Sequence, residues 1–140
     1  MNDKYFIDTD IFIASFNSKK PAKQKTAISL IERALRTSSG VISYQVLQEF
    51  LNVATRHFPT PMLNVDCQRY LNNVLEPLCE VYTNIELYHS ALDIMDKLKY
   101  PYYDSLVIAA ALRVDCKYLF STNMVHKQKI ENTTIFNPFL

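Results

Sequence analysis

The sequence predicts an α/β fold: a three-layer α/β/α sandwich built on a parallel sheet of four or five short strands. Three observations carry this. Short apolar runs alternate with longer segments whose apolar residues recur at helical spacing, the pattern of strand–helix–strand units. One helical segment, "YDSLVIAAALRV", is apolar and alanine-rich, as a deeply buried helix should be. Of the 140 residues 49% are hydrophobic and 21% charged, ample material for a packed core. This length is close to the commonest domain size, so one domain over residues 1–140 is expected.

Each element has its own signal. "KYFID" is an apolar run ending in Asp8 and reads as the first strand; a short helix follows through Ala14. In "AKQKTAISLIERALR", Ala27, Leu30, Ile31, Ala34 and Leu35 trace one helical face, and Thr37 to Gly40 supplies the stop. "GVISY" is the second strand. From Tyr44, Val46, Leu47, Phe50, Leu51 and Ala54 line one face of a helix that ends before Pro59 and Pro61. A further helix is expected from Val65 to Glu76 with Asn64 as its cap, then a third strand, "LCEVY". Thr83 and Glu86 form a capping box in front of "IELYHSALDIMDKLK". Pro101 interrupts before the alanine-rich helix. "YLF" is the fourth strand and "TTIFN" the fifth.

Composition narrows the chemistry. The formal net charge is +1, so no whole-molecule field draws the chain to nucleic acid or an anionic membrane. Lys19, Lys20, Lys23 and Lys25 form a local basic cluster, either a solvated surface or a phosphate contact. Cys67, Cys79 and Cys116 lack metal or redox spacing and read as buried thiols in a reducing compartment. His57, His89 and His126 lie far apart, with no zinc-ligand spacing. No run reaches the roughly 18 apolar residues of a membrane span, and no signal-peptide pattern opens the chain, so a cytoplasmic protein is expected. With Gly40 as the single glycine, neither a dinucleotide fingerprint nor a Walker loop can be written, so any phosphate handled here is held by side chains or metal.

The acids fall in suggestive places. Sites in open parallel sheets form beyond the carboxyl ends of the strands. Asp8 ends the first strand. Glu49 lies about one and a half turns into the helix leaving the second, beside its buried stripe. Asp104 opens the apolar helix, and Asn123 closes the fourth strand. Each acid has an ordinary use as well: Asp8 as a cap, Glu49 as an exposed helix residue, Asp104 as a partner of a helix dipole. If Asp8 and Asp104 converge, their like charges favour a cation between them, and hard oxygen ligands suit Mg²⁺ or Mn²⁺.

"FIDTDIFI", "VISYQVLQEF", "YPYYDSLVIAAAL", "YLFSTNM" and the closing "IFNPF" together resemble the PIN-domain family, and closely its VapC-type ribonuclease toxins. The resemblance covers nearly the whole chain. It implies a parallel sheet between helices, RNA cleavage dependent on Mg²⁺ or Mn²⁺, a homodimer and a protein antitoxin as partner. It implies that Asp8 and Asp104 hold the metal and that Glu49 acts through water. The fourth acid of the family set ends the fourth strand in a Ser-Glu-Asp-like segment; here Ser121-Thr122-Asn123 stands in its place, so Asn123 is a neutral stand-in. Asp10 stands where the family commonly has Asn. One unit charge at about 4 Å and an effective dielectric near 20 is worth on the order of 4 kcal/mol before screening. Water and the remaining acids offset most of that, which implies a weakened site rather than a dead one.

Two other readings stand beside this one. The segment could retain antitoxin binding without cleavage, as a degenerate or engineered relative. Asp8-Thr9-Asp10 at a strand end also resembles the nucleophile motif of haloacid-dehalogenase-type phosphatases, with Asp8 taking the phosphoryl group and Asp10 as acid–base.

Overall fold

The computed structural model describes residues 3–140. In chain order the elements are β1 (Tyr5–Ile7), α1 (Thr9–Ala14), α2 (Pro21–Thr37), β2 (Gly40–Ser43), α3 (Tyr44–Arg56), α4 (Asn64–Tyr70), a π turn over Leu71–Leu75, α5 (Glu76–Leu78), β3 (Cys79–Val81), α6 (Ile85–Leu98), α7 (Tyr102–Arg113), β4 (Tyr118–Phe120), β5 (Lys129–Ile130) and β6 (Thr133–Phe136). The sheet order is β3-β2-β1-β4-β6-β5. All neighbouring strands run parallel except β5 and β6. The expected layered α/β architecture is therefore present, with one correction: among the described residues the sheet has six strands, not four or five. The strand beyond the expectation, β5, is two residues long and lacks an apolar run. It pairs through Ile130 with Thr133 across a tight turn in which Glu131 takes a left-handed backbone (φ 52°), a turn without the usual glycine signal.

Burial follows the sequence pattern. Tyr5, Phe6 and Ile7 of β1 are all buried, as are the four residues of β2, because these central strands are covered on both faces. Residues Ser105 to Ala111 of α7 are buried without a break, as the alanine-rich run anticipated. The helix stop expected over Thr37 to Gly40 is found there. The stop is Ser38, in the left-handed conformation (φ 56°). Gly40 lies in β2, where an added Cβ would sit 2.2 Å from the Ala34 Cβ, so its lack of a side chain lets α2 pack directly on the sheet.

Two further elements depart from expectation. The segment expected as one helix from Val65 to Glu76 contains the π turn, whose wider winding rotates the apolar stripe so that Leu75 and Leu78 both reach the core. Its first turn has Leu63, not Asn64, at the cap position. At α6 the cap is Asn84 rather than Thr83: Asn84 Oδ1 accepts from the Leu87 N–H at 2.9 Å. Asn is a stronger cap than Thr, and its oxygen also accepts from the Arg113 guanidinium at 2.9 Å, tying α6 to the end of α7.

An aromatic cluster joins α1, α3 and α4. Phe50 is fully buried, with ring centroids 5.0 Å from Tyr70, 5.7 Å from Phe16 and 6.1 Å from Phe12. It fixes the face of α3 that carries Glu49 against α1 and the strand end that precedes it.

Candidate active site

The chain builds outward from β1 to β2 and β3, then crosses back to lay β4 on the other side of β1. The strand order therefore reverses between β1 and β4, and a crevice opens at their carboxyl ends. Asp8 follows β1 and Ser121 follows β4. The Asp8 N–H donates to the Phe120 carbonyl at 3.0 Å, and the Ser121 hydroxyl donates to Asp8 Oδ2 at 2.8 Å. Asp8 Oδ1 accepts from the Thr9 N–H at 2.8 Å, so Asp8 is both the cap of α1 and the floor of the crevice.

A cleft of about 370 Å³ opens above it, lined by Asp8, Asp10, Glu49, Asp104 and Asn123, with Gln45 and Tyr103 at its side. The residues singled out from the sequence, Asp8, Glu49, Asp104 and Asn123, are thus brought to one place. They come from four separate segments. Thr9 donates its hydroxyl to Glu49 Oε1 at 2.7 Å. Gln45 donates to Glu49 Oε2 at 3.4 Å and to the Tyr103 carbonyl at 3.2 Å, which links α3 to the first turn of α7 beside Asp104. Asn123 is exposed at the mouth, while Asp8 is only 5% exposed.

The carboxyl groups feel one another. Burial is the main cause that raises the Asp8 pKa, to about 7; the neighbouring Asp10 charge adds to it, hydrogen bonds from Ser121 and Thr9 oppose it, and Glu49 adds a smaller push. Burial likewise raises Asp10, against hydrogen bonds from Thr122. Asp104 is raised by burial, then by the charges of Asp10 and Glu49. Burial leads in all three, and repulsion among chain-distant acids adds to it at Asp8 and Asp104, a pattern that marks a candidate functional site.

Asp10 is the residue that the sequence set omitted. Its Oδ2 accepts from the Thr122 N–H at 2.7 Å and from the Thr122 hydroxyl, while its buried Oδ1 has no protein partner. An orphaned carboxylate oxygen beside three other acids fits a cation. Among the described residues, no three His, Cys, Asp or Glu side chains close into a metal cage by themselves. An open set of this kind suits an ion such as Mg²⁺, which keeps several waters and takes one or two carboxylates together with substrate phosphate. The signal for Asp10 was in the sequence as the Asp-x-Asp spacing at the end of β1. Thr9, Gln45, Ser121 and Thr122, which orient the acids, carry no sequence mark of their own beyond adjacency. Tyr103 is 65% exposed and lines the cleft; Tyr44 instead meets Tyr82 edge-on, and Tyr102 does not line it.

A parallel α/β sheet with converging acids at its switch point defines a class, and comparison of sequences gives it a family. The model of the PIN domain matches residues 5–129, so the chain belongs to the PIN-domain family. Among solved structures, the chain is similar to a toxin–antitoxin complex from Klebsiella pneumoniae (TM-score 0.69, 16% identity, 96% of this chain and 98% of the other). It is similar to the Mycobacterium tuberculosis VapC20 toxin, which cleaves the sarcin–ricin loop (TM-score 0.62, 17% identity, 86% and 90%). It is similar as well to VapBC2 of Rickettsia felis, bound to a DNA fragment from its promoter (TM-score 0.65, 14% identity, 94% and 96%). At these identities the likeness establishes the fold. Comparison with curated protein sequences gives no significant match. The family match is to the PIN domain, which leaves the phosphatase alternative without support. No helix among the described residues is long and apolar enough to cross a membrane.

Proposed function

We propose that the chain is a metal-dependent endoribonuclease, the toxin of a toxin–antitoxin pair, acting in the cytoplasm through Asp8, Glu49, Asp104 and Asn123, with Asp10 added to the set. The observation that carries this is the convergence of four acids, from α3, α7 and the start of α1 just after β1, on one cleft at the switch point of a PIN-family sheet. Such a cleft repels a polyanion unless cations fill it. Asp8, Asp10 and Asp104 would supply carboxylate oxygens to a divalent ion that keeps several of its waters, and such an ion would supply water activation at neutral pH and charge stabilisation at a phosphate. Asp8 and Asp10 are pre-oriented for that duty by Ser121, Thr9 and Thr122. Glu49, held by Thr9 and Gln45, is placed to orient the attacking water. Asn123 at the mouth offers an amide oxygen in place of a charge, so ion binding is weaker than a full acidic set would give.

Partners follow the same reading. Two of the similar structures are of toxin–antitoxin systems, which supports a protein antitoxin. Exposed Ile85, Tyr88 and Leu92 lie one turn apart along α6 and support a second copy of the chain as a cover for that face. A degenerate, binding-only relative is the second reading, and the uncharged Asn123 is what favours it.

The test is direct. Purified protein incubated with a labelled structured RNA is expected to cut it with Mn²⁺, more slowly with Mg²⁺, and not at all in EDTA. Cutting that persists in EDTA overturns the metal reading; no cutting with any divalent ion favours the binding-only reading.

A further inference from the structure

Beyond the acidic cleft lies a second one of about 420 Å³ that the proposed chemistry does not use. The two are neighbours: Asp10 and Ile13 line both, so Asp10 forms the divide. The far side of the divide differs in charge. It carries Lys20 and Lys23, with Asn17 from the loop after α1, and Asn137 and Phe139 from the segment after β6. Neither lysine has an ion-pair partner among the described residues, although acids are near enough to pair with Lys4, Lys99 and Lys117 elsewhere. Lys23 Nζ lies 5.8 Å from the centroid of the Phe139 ring, a contact that limits its wandering without neutralising it. Asn137 Oδ1 already accepts from the Phe139 N–H at 3.0 Å, which leaves its amide N–H groups as donors.

We infer that this second cleft is a subsite for the RNA backbone, holding a phosphodiester next to the one at the acids, with Lys20 and Lys23 as its cationic contacts. The inference rests on the ribonuclease reading for the identity of the strand. Its physical basis is the pairing of opposite clefts. A chain of phosphates approaching a ring of carboxylates meets repulsion at every phosphate that no cation screens. Free lysines immediately beyond Asp10 supply that screening for the neighbouring phosphate and set the direction in which the strand leaves. Lys19 and Lys25, close in sequence, do not line this cleft, so the basic cluster seen in the sequence divides into two lysines that face it and two that do not.

Binding of an oligouridylate to the Asp104→Asn protein in EDTA, followed by fluorescence anisotropy across a KCl series, tests this without requiring cleavage. Each phosphate contact contributes about 0.7 to the slope of log affinity against log salt for a single strand. Lys20→Ala and Lys23→Ala are each expected to flatten the slope by about 0.7 and to weaken binding roughly five-fold at 0.1 M salt, while Lys23→Arg retains the slope. Lys25→Ala is expected to leave both unchanged. Equal losses at Lys25 and at the cleft lysines, or unchanged slopes in Lys20→Ala and Lys23→Ala, overturn the subsite, as does absence of RNA binding by the parent at low salt. The two proposals fail separately: metal-dependent cutting with unchanged slopes sinks only the subsite, and lysine-dependent slopes without cutting sink only the ribonuclease reading.

Discussion

Asp8 shows most plainly how one residue serves both fold and site. It caps α1, receives Ser121 from the neighbouring strand, and has its carboxyl raised to about 7 by burial and by Asp10. The folded protein therefore binds this proton more tightly than the unfolded chain, whose Asp titrates near 3.8. Between those values stability falls as pH rises, because the unfolded state releases the proton first. Without divalent ions, the melting temperature is expected to be higher at pH 5 than at pH 8, with added Mn²⁺ recovering much of the loss at pH 8. Asp8→Asn is expected to reduce that pH dependence, leaving the smaller part due to Asp10 and Asp104, to stabilise the metal-free protein at pH 8 by a few kcal/mol at most, on the order of the charge-burial cost it relieves, and to abolish cutting. A melting temperature independent of pH between 5 and 8 in the metal-free parent would contradict the account of Asp8. Asn123 invites the opposite change. Asn123→Asp is expected to raise both Mn²⁺ affinity and cutting rate, measured by calorimetry and RNA cleavage; no change in either would place Asn123 outside the site.

At the scale of elements, the sequence was most readable where one periodicity ran long and least where a local packing constraint decided the outcome. The amphipathic faces of α2 and α3 and the buried run of α7 follow directly from apolar spacing. Placing the strand ends, together with the PIN resemblance, singled out Asp8, Glu49, Asp104 and Asn123, and these four line one cleft. What escaped was decided in three dimensions. The π turn depends on where Leu75 and Leu78 find the core, the cap of α6 on the position of Arg113, and β5 on its pairing with β6. Asp10 was passed over because its partners, Thr122 above all, are 112 residues away. The stop over Thr37 to Gly40 was legible, but the need for glycine at position 40 was not, because that constraint comes from Ala34 across the layer. Gly40→Ala is accordingly expected to cost about 1–3 kcal/mol, read as a lower denaturation midpoint, since its methyl would overlap Ala34 and neither α2 nor β2 can shift freely. A neutral effect would mean that α2 slides on the sheet at little cost.

For the molecule as a whole, the decisive feature is the reversal of strand order between β1 and β4. It puts the ends of two sequence-distant strands side by side, and the loop after β4 is then pinned in place. The Ser121 N–H donates to the Phe136 carbonyl, the Lys127 N–H to the Ile135 carbonyl at 2.7 Å, and the Asn137 N–H to His126 Nδ1 at 2.9 Å. Tyr100, just before α7, accepts from the Val125 N–H at 3.1 Å and donates to Gln128, so the segment bearing Asn123 is tied to both flanking elements. These hydrogen bonds hold the acids near one another, and under the proposed reading their repulsion is what a bound cation would relieve. The central claim is that Asp104 acts with Asp8 and Asp10 as one cation-dependent cutting site rather than as a helix-terminal charge. The most direct measurement is the single-turnover cleavage rate of one RNA by the parent and by Asp104→Asn over a Mn²⁺ series. The rate is expected to be zero without Mn²⁺, to rise to saturation in the parent, and to be at least about a hundred-fold lower in Asp104→Asn at every concentration. Equal rates in the two proteins would contradict it.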